Sequence, residues 1–250
     1  MADSVAGVVL AAGAGTRLHP LTLERPKPLC PFGSATLVDR AIAQLSAVTP
    51  AVAVNAHHGA AALVAYLGGR IYVSVESELL GTGGAIGRLR SWIDGRDVVV
   101  ANADTVHDVA LSTLVAGWDR DRIGFVTAEA RPTQFAAGMR LVAALMPWRV
   151  VREIRESPHG LYARWWAPAA ASGDVVVVAG GASGWFDCGR VRDYLEANLW
   201  QSQGASVVGE TARVEGVIEQ SVIWPGAVVR SGEWLHRAIR TTSGRTVLVR

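Results

Sequence analysis

The sequence predicts an α/β protein: a Rossmann-like, mostly parallel sheet flanked by helices, ending in a short segment with the register of a hexapeptide β-helix. Three observations carry this expectation. Residues 5–12 (VAGVVLAA) form an almost unbroken apolar run that ends in Gly13-Ala14-Gly15, as a strand buried on both faces does when it feeds a glycine-rich turn. Strand-like and helix-like runs then alternate through residue 129, which implies parallel strands joined by crossover helices. Near the end, Val217, Ile223, Val229 and Leu235 recur every six residues, with one apolar side chain per flat face turned inward.

The elements follow in order. Residues 37–47 predict a helix, with Thr36 and Asp39 spaced as a capping box. Residues 52–55 read as a strand, 60–67 as a helix, 71–76 as a strand and 84–92 as a helix. Residues 98–101 form another buried strand, 111–118 a helix and 123–129 a strand. From 132 to 184 the pattern is irregular, and MPWRVVREIRESPHGLYARWWAP suggests short antiparallel strands. A helix over 194–203 comes next. The tail, 206–250, spans fewer than two coils of its repeat, too little to bury a core alone. Val217, Ile223, Val229 and Leu235 are therefore expected to pack on the main domain or on a second subunit of a homo-oligomer, with Trp224 and Trp234 near that contact. In either case the tail would support structure or assembly and take no direct part in chemistry.

Composition narrows the function. With 250 residues, half of them apolar, the chain can bury a sizeable core. A formal charge of +2 and a pI near 8.8 are too mild for a nucleic-acid surface, and no arginine run is interleaved with aromatics. Cys30 and Cys188 are far apart, with no C-x-x-C spacing, which argues against a zinc site and a disulfide scaffold and fits a reduced cytoplasm. The first residues carry no basic n-region, and no segment reaches the eighteen or so apolar residues that a membrane span needs, so the expectation is a cytoplasmic protein.

Chemistry concentrates around a few positions. Lys27 is the only lysine; the remaining basic positions are arginine. A compact ammonium on a flexible stem reaches a single phosphate oxygen where the arginine fork does not fit. Gly13 and Gly15 stand where the chain leaves a strand, so consecutive backbone N–H groups can cradle phosphate, although neither a dinucleotide fingerprint nor a P-loop is completed. Leu80-Gly81-Thr82-Gly83-Gly84 lies between a strand and a helix, where glycines would let the backbone pack against a flat base. Asn55 ends a strand, and Asp104 follows the 98–101 strand on the expected ligand edge. Asp187 lies in Phe186-Asp187-Cys188-Gly189, while Asp108 is expected to cap the helix after it.

The string LAAGAGTRLHPLTLERPKPL, continued by VNAHHGA, ESELLGTGGAI, VVVANADT and WFDCGRVRDYLEAN, closely resembles the signature of the sugar-1-phosphate nucleotidyltransferases, or NDP-sugar pyrophosphorylases, over roughly residues 5–200. The resemblance implies that Leu10, Ala11, Ala12, Gly13, Gly15 and Thr16 hold a nucleoside triphosphate, that Asn55, Glu78, Thr82 and Gly83 complete the nucleotide site, and that Arg17 and Lys27 are catalytic. It implies Mg²⁺, with Mn²⁺ as a substitute, on Asp104 and Asp187. It further implies a catalytic domain over 1–205 with its acceptor-binding part near 132–186, a separate tail over 206–250, and a sugar 1-phosphate paired with a triphosphate, UTP or GTP favoured. The expected reaction is in-line attack of the sugar phosphate on the α-phosphorus with loss of pyrophosphate. A phosphate monoester has its second pKa near 6, so the nucleophile is already an anion and no general base is required.

Three departures from the family pattern limit what the resemblance implies, and the third bears on the acceptor. Ala103-Asp104 replaces the usual Gly-Asp, and Arg190-Val191 replaces a Thr-Pro pair. Glu156-Ser157-Pro158 stands where many relatives read Glu-Lys-Pro and use that lysine on the sugar phosphate. Arg152, Arg155 or Arg164 are candidates for that phosphate, and Trp165, Trp166 or Trp185 for a wall beside the sugar. Two further readings remain open at this point: a cytidylyltransferase for a non-sugar phosphate or phosphonate, and a regulatory subunit that binds nucleotide sugars without turnover.

Overall fold

The computed structural model describes residues 4–132, 134–136 and 138–249; residues 1–3, 133, 137 and 250, parts of the expected 1–205, 132–186 and 206–250 segments, lie outside it. In chain order the first half contains β1 (Val5–Leu10), a two-strand hairpin β2 (Pro31–Phe32) and β3 (Ala35–Thr36), α1 (Leu37–Ser46), β4 (Val52–Ala56), α2 (Ala60–Leu67), β5 (Tyr72–Val75), α3 (Gly81–Ile93), β6 (Asp97–Asn102), β7 (Thr105–His107), α4 (Leu111–Ala116) and β8 (Ile123–Thr127). Then come β9 (Leu141–Met146), α5 (Trp148–Val151), α6 (Ala167–Ala171), β10 (Val175–Ala179), β11 (Trp185–Asp187) and α7 (Val191–Gln201).

β1 sits inside a seven-stranded sheet of order β10-β8-β9-β6-β1-β4-β5. It runs parallel to β4 and β6, β4 runs parallel to β5, and β8 parallel to β10. Only β9 opposes its neighbours, β6 and β8, so the sheet is mixed and mostly parallel. Alternation along the strands divides the core. Val5 and Val9 of β1 and Val99 and Ala101 of β6 face α1, α2 and α4 through Val38, Leu45, Leu63, Leu67 and Leu111. Ala6 and Val8 of β1 and Val98 and Val100 of β6 face Ile86, Leu89 and Ile93 of α3 and Val150 of α5. Burial on both faces is why these strands read as continuous apolar runs. The capping box of α1 forms as expected: Thr36 Oγ1 accepts from the Asp39 N–H at 3.2 Å and Asp39 accepts from the Thr36 N–H at 3.1 Å.

Two expectations fail in informative ways. Where short antiparallel strands were expected, the chain forms two helical pieces, α5 and a π-turn over Tyr162–Trp166 that runs into α6, joined by irregular residues 152–160. Val150, Val151, Ile154 and Leu161 bury themselves, with Trp165 and Trp166 partly buried, against one face of the sheet. Spacings of three and four residues favour a helix over a strand. Likewise α3 starts at Gly81, earlier than expected, because the His159 carbonyl accepts the first-turn N–H groups of Gly83 (2.9 Å) and Gly84 (3.4 Å). Those donors have no partner within the helix.

The tail winds through short parallel pairs. β12 (Val207–Val208) pairs with β15 (Val222–Ile223) and β15 with β18 (Ala238–Arg240); β13 (Arg213–Val214) pairs with β16 (Val228–Val229), and β14 (Val217–Glu219) with β17 (Trp234–His236). An antiparallel strand, β19 (Thr246–Leu248), closes it against β18. Ile223, Val229 and Leu235 turn inward as the period implies, but they pack on one another and on Ala227 and Ala238 of the tail itself, not on the main domain as expected; Val222, Trp224 and Ile239 make the contact with the main domain instead. Val217 does not turn inward: it is 56% exposed, and Ile218 packs inward in its place. Trp224 is fully buried in a core shared with Leu18, Leu21, Tyr194 and Leu195 of the main domain, whereas Trp234 is 68% exposed. Among the described residues no helix is long and apolar enough to cross a membrane. Cys30 and Cys188 are free and buried, and burial pushes both thiols up.

A second, smaller ladder carries part of the site. β7 and β11 pair antiparallel, with Asp187 opposite Thr105 and Trp185 opposite His107. Arg40 of α1 donates to the His107 carbonyl, and Val109 N–H donates to His107 Nδ1 at 3.2 Å, with Gln44 Nε2 also 3.2 Å away. Burial, and then the Arg40 charge, push His107 down from 6.5 to about 4, against a weaker opposing pull from Asp108. An unfolded histidine takes its proton near pH 6.5, the folded one only near 4. Stability should therefore be complete above pH ~7 and decline as pH falls from ~6.5 to ~4, by at most about 1.4 kcal/mol per pH unit from this residue. Urea melts at pH ~7 and ~5 should show that His107→Gln is less sensitive to acid than the parent. Equal pH dependence in the two proteins would contradict a buried neutral histidine.

Candidate active site

β1 delivers the chain into the loop 11–15 at the carboxyl edge of the sheet. There the Ala103 N–H donates to the Leu10 carbonyl (3.0 Å), stitching the end of β1 to the turn after β6. Gly15 takes φ +65, and a Cβ there would lie 2.9 Å from Lys27 Cβ, so glycine meets both the backbone and the packing requirement. Thr22 Oγ1 donates to the Gly15 carbonyl at 3.0 Å, holding the glycine loop against the segment that leads to Lys27. Gly59, also left-handed, packs its backbone on Pro26, where any Cβ would come within 2.3 Å of Pro26 Cγ.

Asn55 of β4 is buried. Its Oδ1 accepts the Ala11 N–H at 2.6 Å and its Nδ2 donates to Glu76 Oε1 at 2.7 Å. Glu76 Oε2 in turn accepts the Leu80 N–H at 3.1 Å. This chain of bonds ties the glycine loop to the N-terminus of α3. At that terminus Thr82 Oγ1 accepts the Leu161 N–H (2.8 Å).

The charged groups enter from separate parts of the chain. Lys27, with its side chain 11% exposed, forms an ion pair with Asp104, whose side chain is 25% exposed. Asp187 enters from β11, one register step away, because the Cys188 N–H donates to the Asp104 carbonyl at 2.9 Å. Arg17 lies 3.7 Å from Asp187; both are well exposed, so this contact contributes little on its own and leaves the guanidinium free to meet an anion.

These groups surround one cleft. A cavity of about 450 Å³ is lined by Leu10, Ala12, Gly13, Arg17, Asn55, Thr82, Asp104 and Asp187, among others. A neighbouring one of about 250 Å³ shares Leu10, Gly13, Arg17 and Asp104 with it and adds Ala11, Gly15, Thr16 and Lys27. Twelve of the fourteen residues expected from the sequence thus line one of the two. The exceptions are Glu78, which is exposed and lines neither, and Gly83, which packs beneath the His159 ring. Asp108 stays off the cleft but caps no helix; it accepts from the Ser183 N–H at 3.0 Å instead. Of the candidates for the acceptor, Trp185 lines the larger cavity, while Trp165 and Trp166 pack under the sheet. Arg152, Arg155 and Arg164 line neither cavity, and Arg152 pairs with Glu153 at 3.2 Å.

Sequence reasoning missed Glu76, Asn102, Met139 and Leu141. Glu76 had a signal: two residues after Ser74, it falls on the buried side of the β5 alternation, so a carboxylate there needs donors. Met139 and Leu141 had none, since they come together with Trp185 only through the pairing of β9 within the sheet. Among the described residues, neither cavity is lined by a His, Ser or Cys side chain. The cleft is equipped to hold a polyanion between the glycine loop and the cations Arg17 and Lys27.

Comparison with known proteins agrees with this geometry. Residues 6–139 match the family described as nucleotidyl transferase. A relative named N-acetylmuramate alpha-1-phosphate uridylyltransferase, from Caulobacter vibrioides, is 33% identical over 141 residues, 51% of this chain and 58% of its own length. A mannose-1-phosphate guanyltransferase from Aspergillus fumigatus is 41% identical over 118 residues, 43% of this chain and 32% of its own. The chain therefore spans about half the length, or less, of these curated relatives. In solved structures the fold recurs in a putative glucose-1-phosphate thymidylyltransferase from Bacillus anthracis, with a TM-score of 0.64 and 15% identity over 78% of this chain and 94% of that one. HddC from Yersinia pseudotuberculosis gives 0.62 at 15% identity, over 78% and 98%. With the glycine loop, Arg17, Lys27 and Asp104 all inside the matched residues, the chain belongs to the nucleotidyl transferase family.

Proposed function

We propose that the protein joins a nucleoside triphosphate to a sugar 1-phosphate, releasing pyrophosphate and a nucleotide-activated sugar. The observation that carries this reading is the convergence of Arg17, Lys27, Asp104 and Asp187 on a cleft bounded by the glycine loop and the N-terminus of α3. Backbone N–H groups of residues 12–16 receive the triphosphate, Asn55 and the start of α3 bound the base, and Leu141, Met139 and Trp185 form an apolar wall on the acceptor side. Arg17 and Lys27 reduce the repulsion between two phosphate groups and stabilise charge on the departing pyrophosphate. Names of the relatives support UTP or GTP as the nucleotide and an amino-sugar-derived or hexose 1-phosphate as acceptor. We read residues 1–205 as the catalytic domain, 132–186 as its acceptor-binding part, and 206–250 as a β-helix-like support; buried thiols fit a cytoplasmic setting.

The donor set fits a hard divalent cation. Two carboxylates face the same cavity from adjacent points of the β7–β11 ladder, and Mg²⁺ typically takes one or two carboxylates together with substrate phosphate oxygens. Asp104 and Asp187 would hold it, and bound there it would supply Lewis-acid charge to the phosphates.

Pyrophosphate release, measured across pairs of nucleoside triphosphates and sugar or non-sugar phosphates, tests the reading. Turnover with a sugar 1-phosphate supports it, whereas turnover only with non-sugar phosphates, or none with any pair, contradicts it. In the productive pair Lys27→Ala is expected to lower kcat by about 10²-fold or more, the scale for losing one preorganised charge contact. Lys27→Arg should also fail badly, because the side chain lies almost buried against Gly15, where the fork lacks room. An Arg variant at more than about half the parent rate would refute that geometric argument.

Chelator should abolish activity and Mg²⁺ or Mn²⁺ restore it. Asp104→Asn and Asp187→Asn should each lower kcat and raise the metal concentration needed for half-maximal rate. Full activity in excess chelator would remove the metal from the account.

The exposed Val217 and Trp234 support self-association through the tail. Sedimentation should then show a smaller species for Trp234→Glu than for the parent; an unchanged mass would reject that interface.

A further inference from the structure

Lys27 works from a short 3₁₀ turn, Lys27–Leu29, that has no long element of its own to hold it. The residues before it are held by the C-terminal tail, about two hundred residues away in sequence, and those after it by α7, which leans on that tail. Glu24 accepts from Thr241 Oγ1 at 2.6 Å, from Ser243 Oγ at 2.5 Å and from the Ser243 N–H at 3.2 Å, with Arg245 Nε 3.7 Å away. Arg25 places its guanidinium carbon 4.8 Å from the centre of the buried Trp224 ring and donates to Thr242 Oγ1 at 3.2 Å. On the far side of Lys27, the Pro31 carbonyl accepts from the Tyr194 hydroxyl, which itself accepts from Trp224 Nε1 at 3.1 Å. The segment 24–31 is thus fastened at both ends to groups that belong to, or lean on, residues 224–245.

The same segment touches the glycine loop. Thr22 bonds the Gly15 carbonyl, and Lys27 Cβ lies against Gly15. Thr241 and Ser243 thus hold Glu24, three residues before Lys27 along the backbone, and Lys27 in turn lies against Gly15. Glu24 is well suited to be its fixed point. Its side chain is only 15% exposed. Burial pushes its carboxyl up, but the bonds from Ser243 and Thr241 outweigh this and hold it below the usual carboxylate range, so it is ionised and anchored at neutral pH.

We propose that the C-terminal tail is a positioning element of the active site: by clamping Glu24 and Arg25 it sets the Lys27 turn, and Glu24 is the positioning residue through which it acts. The proposal goes beyond a supporting tail, and its effect on rate rests on the nucleotidyltransferase reading. Displacing a catalytic group by about 1 Å through a distant change costs on the order of 10²-fold in rate. The expected signature is a fall in kcat at nearly constant KM for the triphosphate.

The chain's single lysine supplies a readout that needs no turnover. Lys27 is the only side-chain amine, so acetylation by an amine-specific reagent, followed by mass spectrometry of the peptide that contains it, reports its accessibility alone. Glu24→Ala is expected to accelerate this labelling by about fivefold or more, as loss of a clamp makes local opening easier. Thr241→Val with Ser243→Ala should do the same from the other side, and adding these to Glu24→Ala should have little further effect. Glu24→Gln, which keeps an acceptor oxygen, should fall between. Ser243→Ala alone, at an exposed position, is the variant least able to disturb folding and should show a smaller effect of the same sign. In pyrophosphate-release assays of the same proteins kcat should fall about tenfold or more for Glu24→Ala. Variants that melt at lower temperature yet label and turn over at parent rates well below that temperature would overturn the proposal, as would strictly additive effects of the two sides. Failure of the parent protein to release pyrophosphate would count against the nucleotidyltransferase reading only, because the labelling rates still decide the clamp.

Discussion

If the cleft receives a triphosphate, as proposed, its cations must be in place before the anion arrives, and that condition depends on the ion pair between Lys27 and Asp104. An almost buried ammonium without a counter-ion is costly, so Lys27 needs the carboxylate. When phosphate oxygens approach, they can take over the role of Asp104 toward the ammonium. The remaining architecture serves to keep the two side chains facing each other. The parallel pairing of β1 with β6 brings the glycine loop and Asp104 to one edge, and the β7–β11 ladder brings Asp187 beside them. Asn55 and Glu76, both buried, connect the glycine loop to the N-terminus of α3 through three hydrogen bonds.

Much of this was legible because the physics that builds it is local. Strands buried on both faces appear as apolar runs, which is why β1, β4, β6 and β8 could be read directly. The Thr36 and Asp39 spacing announced α1, since a capping box needs only those two residues. The glycine turn and the lone Lys27 stood out from the residues themselves, while Arg17, Asp104 and Asp187 were singled out by the family resemblance; the structure brings all of them to one cleft. What was not legible depends on partners distant in sequence. Helical turns at 147–171 form because one sheet face wants covering, which the run of Trp and Arg residues does not disclose. Gly83 looked like a surface for a base but serves the packing of His159, whose carbonyl supplies the partner for its N–H. The six-residue period in the tail held at Ile223, Val229 and Leu235 and failed at Val217, where Ile218 turns inward instead.

Departures from the family pattern acquire a physical meaning in this setting. Ser157 and Pro158 lie in the stretch before His159, which packs on the first turn of α3, with the Ser157 carbonyl close against Gly84. That stretch is committed to fixing α3. The part of the cleft proposed to receive the acceptor brings Met139, Leu141 and Trp185 together, with Arg17 lining the same cavity. The tail matters for the same reason that loops carry function: a short turn positioned by a rigid neighbour can hold a reactive group accurately without a long element beneath it. Here the rigid neighbour is a buried tryptophan and a row of hydroxyls that come from the other end of the chain.

The central claim is that the cleft transfers a nucleotidyl group, breaking the bond between the α- and β-phosphates. The direct measurement is to supply the triphosphate labelled either at the α- or at the γ-phosphorus, together with a sugar 1-phosphate, and to follow where each label goes. The account requires the α label in the sugar nucleotide and the γ label in pyrophosphate. Transfer of the γ label to the acceptor, or its release as orthophosphate, would contradict it.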